Sequence, residues 1–270
     1  MSSNNHNYPK DCFFIHFGKA AGSYLNVYLV EEIFVKTDFI EKYKPHFYNN
    51  WWGQQFPKGE GDFLFKSYSE QPRDFNKSEL LEVSKKSKEN LKFITCHHNN
   101  LDDDTIDSFN SKDWFTFMFI RDPRDVICSL YFYSIKIKAK HGCSALGRDG
   151  ALAGNFYIKE DFQDPDWDDP DLDTFVNRMI TKPEYFRFWK TPSYIDKLDF
   201  VKEFNENNFA AFLKQAYNHD YKKDIIDKKN TSYNKGYKYY LDKGLISEEN
   251  NLKLLNHKDY INFNRYLDEK

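Results

Sequence analysis

The sequence predicts an α/β fold, a three-layer sandwich in which helices flank a central, mainly parallel sheet, with a helical C-terminal part. Two segments, around His16 and around Arg121, carry this prediction. Each is an apolar run of strand length that ends in a polar turn and a helix start. Continuous apolar strands of this kind are typical of parallel sheets that are covered on both faces.

The first segment has the composition of a phosphate-binding turn. Residues 11–17 are apolar and aromatic, and bulky residues recur at helical spacing over residues 24–30. Small residues between them would let backbone N–H groups approach an anion at a helix N-terminus, with a mobile charge and a hydroxyl nearby. The candidate cofactor-binding residues are those of the turn, Gly18, Lys19, Ala20, Ala21, Gly22 and Ser23, together with Tyr24, which follows it. The alternative is an ordinary strand-to-helix turn with a solvated lysine.

This turn is not a Walker loop. The glycine expected five residues before Gly18 is missing, and Ala20 stands where Ser or Thr would bind Mg²⁺. A magnesium-dependent kinase is therefore the less favoured interpretation of the segment.

The second segment predicts a second phosphate site. Residues 114–120 read as a central strand, and Asp122 and Pro123 form a helix start, with Asp as the N-cap and Pro at the first helical position. Arg121 at the strand exit and Ser129 two turns into the helix would offer a guanidinium fork and a hydroxyl to a phosphate. The alternative is that Arg121 pairs with Asp122 or Asp125 and that Ser129 is only a small helix residue.

Together the two segments resemble the sulfotransferases that use 3′-phosphoadenosine 5′-phosphosulfate, most closely the carbohydrate branch that includes the heparan 2-O-sulfotransferases. Residues 16–23 resemble its phosphosulfate loop, HxPKTGGTS, and Arg121, Asp122, Pro123 and Ser129 match its 3′-phosphate motif, RDPxxxxxS. The resemblance covers the first half of the chain and implies a P-loop-like fold. Gly18 departs from it, because the family usually has Pro there.

The resemblance also assigns a general base. Residues 91–100 read as another short strand that ends in a polar exit. A similar strand end in the carbohydrate sulfotransferases carries the catalytic histidine, which His97 matches best and His98 adjoins. Histidine can be neutral at physiological pH and still accept a hydroxyl proton. A metal site is the alternative for a His-His pair, but no third ligand stands at metal-site spacing. We therefore expect no metal.

The implied reaction is in-line transfer of a sulfuryl group to an acceptor hydroxyl. Such chemistry depends on positioning and charge stabilisation. Lys19 and Ser23 would stabilise the leaving 5′-phosphate, Arg121 and Ser129 would hold the 3′-phosphate, and His97 would accept the proton. A weaker match, to a loop that closes on the cofactor, adds Asn230, Ser232 and Lys235. A magnesium-dependent nucleotide kinase and a non-catalytic nucleotide-binding module are the alternatives.

The rest of the chain predicts one domain over residues 1–270. Residues 63–68 read as a strand, residues 77–90, 200–218 and 247–267 as helices, and residues 140–195 as an insertion over the acceptor site. Its acidic residues between 160 and 173 would favour a neutral or cationic acceptor, either a glycan or a small molecule, over a sulfated one. An ordinary solvated face is the alternative for the acidic run.

Composition excludes several classes of partner. The net charge of −3 argues against nucleic-acid binding, and no apolar stretch is long enough to span a membrane. The four cysteines, Cys12, Cys96, Cys128 and Cys143, are scattered, and buried free thiols are the simplest interpretation. We expect a cytoplasmic protein. The sequence does not assign its oligomeric state.

Overall fold

The structure, a computed structural model, describes residues 10–17, 20, 22–34, 47–49, 55–57, 63–67, 77–85, 91–97, 101–141, 171–181, 191–222 and 235–267. The chain divides into two compact units. The first, here the sheet unit, comprises Met1–His16, Ala21–Phe119 and Ser193–Lys229. The second, the helical unit, comprises Phe17–Ala20, Ile120–Pro192 and Asn230–Lys270.

Seven strands are described. They are β1 (Cys12–His16), β2 (Phe47–Asn49), β3 (Gln55–Pro57), β4 (Phe63–Ser67), β5 (Leu91–His97), β6 (Phe115–Ile120) and β7 (Phe200–Glu203). The described helices are α1 (Gly22–Leu29), α2 (Lys77–Lys85), α3 (Asp103–Asn110), α4 (Pro123–His141), α5 (Leu172–Thr181), α6 (Glu206–Tyr217), α7 (Tyr237–Asp242), α8 (Glu248–Leu255) and α9 (Lys258–Asn264). A π-helical turn, Val30–Phe34, continues α1, and Ile195–Lys197 forms a 3₁₀ turn.

The main sheet has five strands in the order β4-β5-β1-β6-β7. β1 pairs in parallel with β5 on one side and with β6 on the other, and β4 pairs in parallel with β5. β2 and β3 form a separate antiparallel pair. The predicted α/β class with a parallel sheet is therefore confirmed.

Aromatic side chains build the core of the sheet unit. Phe14 of β1 stacks on Phe117 of β6 at a centroid distance of 5.0 Å, and Phe117 lies 4.3 Å from Phe212 of α6. On the opposite face Phe13 stacks on Phe109 of α3 at 4.0 Å. Because successive strand residues point to opposite faces, both faces of β1 are covered by helices. This burial explains why β1 and β6 read as unbroken apolar runs.

Aromatic contacts and carboxylates hold the helical unit together. Tyr131 of α4 lies 5.4 Å from Phe175 of α5, and Phe132 stacks on Tyr240 of α7 at 5.0 Å. The Asp173 carboxylate of α5 accepts hydrogen bonds from the Ser247 backbone N–H, at 2.7 Å, and from the Asn250 side chain. None of the helices that the structure describes has the length and apolar character needed to cross a membrane.

Several predicted elements are confirmed and two are corrected. The strands predicted within 11–17, 63–68, 91–100 and 114–120 correspond to β1, β4, β5 and β6, and Asp122 and Pro123 start α4 as expected. Residues 200–218 are not one helix, because Phe200–Glu203 joins the sheet as β7 and the Asn205 side chain caps α6. Residues 247–267 are two helices, because His257 caps α9 after α8 ends.

Cys12, Cys96 and Cys128 are buried free thiols, as predicted. Cys143 lies outside the described residues. Within the predicted insertion at 140–195, the structure describes the last two residues of α4, Asp171, α5 and residues 191–195. The Asp171 carboxylate caps α5 by accepting a hydrogen bond from the Thr174 backbone N–H. The single-domain assignment and the lid over an acceptor stay predictions.

Replacement of Phe117 by Ala should destabilise the protein by about 3–5 kcal/mol, because it removes a fully buried ring from the centre of the aromatic core. Urea unfolding of the full chain measures the loss. Leu252→Ala is the control, because Leu252 on α8 is 50% exposed and its removal should cost no more than about 0.5 kcal/mol. Equal losses for the two variants would contradict the proposed core.

Candidate nucleotide site

The strand order creates a topological switch point between β1 and β6. The chain runs from β1 to β4 and β5 on one side of β1, and then from β5 to β6 on the other side. In open α/β sheets, ligands bind in the crevice outside the carboxyl ends of the strands at such a point. The two segments with predicted phosphate contacts directly follow these two strands.

At the end of β1, the His16 side chain packs against the first residue of α1. A Cβ atom added to Gly22 would lie 2.3 Å from Nε2 of His16 and within 2.8 Å of two of its ring carbons. Such distances are not compatible with van der Waals contact, so Gly22 is the residue that lets the helix start approach the histidine. The ring of His16 also lies 5.4 Å from that of Phe14.

The turn after β1 is described only in part. The Ala20 N–H donates a hydrogen bond to the Phe17 carbonyl at 3.2 Å, and the ring of Phe17 contacts Phe263 of α9 edge-on. The Ala20 amide is used within the turn, so we do not expect it to be one of the phosphate donors. Ser23 lies in the first turn of α1. Gly18, Lys19 and Ala21 lie outside the described residues.

Tyr24 has a packing role in this structure. Its ring contacts Phe204 and Phe209 edge-on, both at 5.6 Å, and its hydroxyl lies 2.8 Å from the Tyr221 hydroxyl. Burial, together with the hydrogen bond to Tyr221, raises the pKa of Tyr24. These contacts hold α1 against Phe204, which follows β7, and against Phe209 of α6, and cofactor contact by Tyr24 stays a prediction.

After β6, Asp122 organises the start of α4. Its carboxylate accepts a hydrogen bond from the Arg124 backbone N–H at 2.9 Å, as an N-cap does. The carboxylate also accepts hydrogen bonds from Nε and Nη2 of the Arg124 guanidinium, the latter at 2.7 Å. Burial alone would lower the pKa of Arg124, but the hydrogen bonds and charge of Asp122 raise it above its usual value.

Arg124 is further enclosed by two aromatic rings. Its guanidinium carbon lies 5.4 Å from the ring centre of Tyr237 and 5.1 Å from that of Tyr260. These are cation–π distances. Arg124 therefore binds α7 and α9 to the start of α4 and is not the arginine that we expect to bind a phosphate.

Arg121 is the more available arginine. Its side chain is 31% exposed, and the nearest carboxylate oxygen in the described part of the chain is Oδ2 of Asp125, at 3.9 Å from Nε. That distance is too long for a hydrogen bond. Asp122, the other predicted partner of Arg121, is held by Arg124 instead.

Ser129 is less accessible than Arg121. It lies in α4, where it is 3% exposed, so Arg121 is the residue of this pair that reaches solvent. The neighbouring Cys128 is not a nucleophile at neutral pH, because burial raises the pKa of its thiol to about 12, with a further contribution from the Asp125 carboxylate.

The predicted base lies at the end of β5. His97 is the last residue of that strand, and its Cα is the register partner of His16 on β1. His98 lies outside the described residues. The described residues contain no group of three or more His, Cys, Asp or Glu side chains that could hold a metal ion.

Of the C-terminal candidates, only Lys235 is described, and Asn230 and Ser232 lie outside the described residues. The Lys235 N–H donates a hydrogen bond to the Tyr240 hydroxyl at 3.1 Å, and its Nζ lies 4.8 Å from the ring centre of Tyr239. Its ammonium group therefore rests on an aromatic ring in this structure.

Two features of the site were not deduced from the sequence. The contact between His16 and Gly22 joins residues six apart across a turn, and no local pattern predicts it. The sequence predicts Asp125 only as an alternative partner that would occupy Arg121, although side chains four residues apart lie on the same face of a helix and this spacing is a signal of a contact between them. The comparisons with protein-family models, curated proteins and solved structures each found no match to this chain.

Gly22→Ala should destabilise the protein by about 1–3 kcal/mol, because the new methyl group would force the His16 ring out of its position. The same substitution in a His16→Ala background should be neutral or slightly stabilising, since the obstacle is gone and Ala is favoured over Gly in a helix. Urea unfolding of the four proteins measures the coupling. The same cost in both backgrounds would contradict the contact.

Proposed function

We propose that the protein is a sulfotransferase that transfers a sulfuryl group from 3′-phosphoadenosine 5′-phosphosulfate to an acceptor hydroxyl. The observation that carries the proposal is the position of the two phosphate segments. One follows β1, the other follows β6, and these two strands are parallel neighbours on either side of the switch point. The carboxyl ends of parallel neighbours lie at the same edge of a sheet, and this pairing supports one nucleotide bound at the ends of the two strands.

The chemistry of the available donors supports a nucleotide with two separate phosphate groups. Arg121 offers a partly exposed guanidinium after β6, while α1 presents its N-terminus after β1. A helix N-terminus and an arginine fork are both suited to phosphate oxygens. Asp122 is held by Arg124, so its charge does not cancel that of Arg121.

In the proposed reaction, the acceptor oxygen forms a bond to sulfur while the bond between sulfur and the 5′-phosphate oxygen breaks. The hydroxyl proton passes to His97, and 3′-phosphoadenosine 5′-phosphate leaves. Lys19 and Ser23, with backbone amides of the turn, would stabilise the charge on the leaving phosphate. Arg121, assisted by Ser129, would select nucleotides that carry a 3′-phosphate.

We further propose that the acceptor is neutral or cationic. Between residues 161 and 171 the sequence carries Asp161, Asp164, Asp166, Asp168, Asp169 and Asp171. If this run lies near the acceptor, its carboxylates would repel an already sulfated glycan. Preferential turnover of a sulfated polysaccharide over neutral and cationic hydroxyl compounds would contradict this part of the proposal.

Wild-type protein should bind 3′-phosphoadenosine 5′-phosphate more tightly than ADP, without Mg²⁺, and Arg121→Ala should weaken that binding by about 10- to 100-fold, the range expected for a charged hydrogen bond. Isothermal titration calorimetry measures the affinities. Arg265→Ala is the matched control, because it removes the same charge from the residue after α9.

Two outcomes would contradict the assignment. Equal affinity of the wild-type protein for ADP and for the 3′-phosphorylated nucleotide would mean that no 3′-phosphate site exists. Tight binding of ATP that requires Mg²⁺ would favour a kinase instead.

His97→Ala should lower kcat by about 10²- to 10⁴-fold, since a general base contributes that much, while nucleotide affinity is unchanged. Release of 3′-phosphoadenosine 5′-phosphate in the presence of an acceptor panel measures the rate. His98→Ala is the control variant. A rate loss in His98→Ala with normal turnover by His97→Ala would assign the base to His98.

A further inference from the structure

The Asp125 carboxylate lies between the start of α7 and the guanidinium of Arg121. Its Oδ1 accepts a hydrogen bond from the Tyr237 backbone N–H at 2.7 Å. Its Oδ2 lies 3.9 Å from Nε of Arg121. The two oxygens therefore face different partners, both in the helical unit.

The backbone before α7 is shaped for this contact. Gly236, which precedes Tyr237, has a φ of +88°, a conformation that residues with a side chain rarely adopt. A Cβ at Gly236 would lie 3.6 Å from Oδ1 of Asp125, so the chain passes close to the carboxylate here. The hydrogen bond from the Tyr237 backbone N–H therefore restricts the conformations that the Asp125 side chain can adopt.

Arg124 does not compete with Arg121 for the Asp125 carboxylate. Arg124 is bound to Asp122 and lies between the rings of Tyr237 and Tyr260. Arg121, in contrast, presents the Nε side of its guanidinium to Asp125. An arginine oriented through Nε keeps its two terminal amino groups for a second ligand, and a phosphate binds well to such a fork.

We propose that Asp125 is the positioning residue for Arg121: its charge, 3.9 Å from Nε and too far for a hydrogen bond, attracts that side of the guanidinium and leaves the two terminal amino groups to face the 3′-phosphate of the nucleotide. The inference rests on the proposed function and goes beyond it, because it assigns the selection of 3′-phosphorylated nucleotides to a carboxylate that does not touch them. Support of this kind matters because a binding group performs well only when its neighbours fix its geometry.

A simple electrostatic effect of Asp125 would have the opposite sign. A carboxylate beside an anion site repels the anion, so its neutralisation would strengthen phosphate binding. A positioning role predicts that the same change weakens binding of the 3′-phosphate, because Arg121 loses its orientation. The direction of the change separates the two roles.

The test compares Asp125→Asn with the wild-type protein. Asparagine keeps an oxygen that can accept the Tyr237 N–H but removes the charge that faces Arg121. Calorimetry gives the affinities for 3′-phosphoadenosine 5′-phosphate and for adenosine 5′-monophosphate, which lacks the 3′-phosphate. We expect the ratio of the two affinities to fall about tenfold in Asp125→Asn, with the affinity for the monophosphate unchanged.

Asp173→Asn is the matched control, because Asp173 also accepts a backbone N–H in the helical unit, and no arginine pairs with it among the described residues. Its affinity ratio should equal that of the wild-type protein. An unchanged or higher ratio in Asp125→Asn would overturn the positioning role and leave the proposed function intact. A wild-type protein that does not distinguish the two nucleotides would overturn both.

Discussion

The parallel pairing of β1 on both of its sides is the constraint on which the rest of the structure depends. With β5 on one side and β6 on the other, β1 lies inside the sheet and must be apolar on both faces. Phe13 and Phe14 satisfy this requirement by packing on α3 and against β6, respectively. Within β1 itself the first polar side chain is that of His16 at the strand end, next to the candidate site.

Two arginine–aspartate pairs follow β6, and they differ in how tightly they are bound. The buried Asp122 caps α4 and pairs with the partly buried Arg124, whose guanidinium lies against the rings of Tyr237 and Tyr260. Arg121 and Asp125 are more exposed and are separated by 3.9 Å. An interaction that is not a tight ion pair leaves the guanidinium able to bind another anion, which is the property that the proposed 3′-phosphate site requires.

The sequence was sufficient for the two central strands. β1 and β6 could be predicted because they read as continuous apolar runs of strand length, and the start of α4 could be predicted because Asp122 and Pro123 act locally. β7 could not, because Phe200 belongs to the sheet through contacts with distant residues such as Phe119, at 5.6 Å. The prediction of one helix over 247–267 was wrong, because the periodicity of apolar residues does not detect the second N-cap at His257.

The same distinction applies to the candidate site. The motif residues were identifiable by type and spacing, whereas the contact of His16 with Gly22 and the bond from Tyr237 to Asp125 depend on how the chain folds back on itself.

A crystal structure of the complex with 3′-phosphoadenosine 5′-phosphate is the most direct measurement of the central claim. We predict the 5′-phosphate in the turn between β1 and α1 and the 3′-phosphate on Arg121. A nucleotide bound elsewhere, with neither phosphate at these two strand ends, would contradict it.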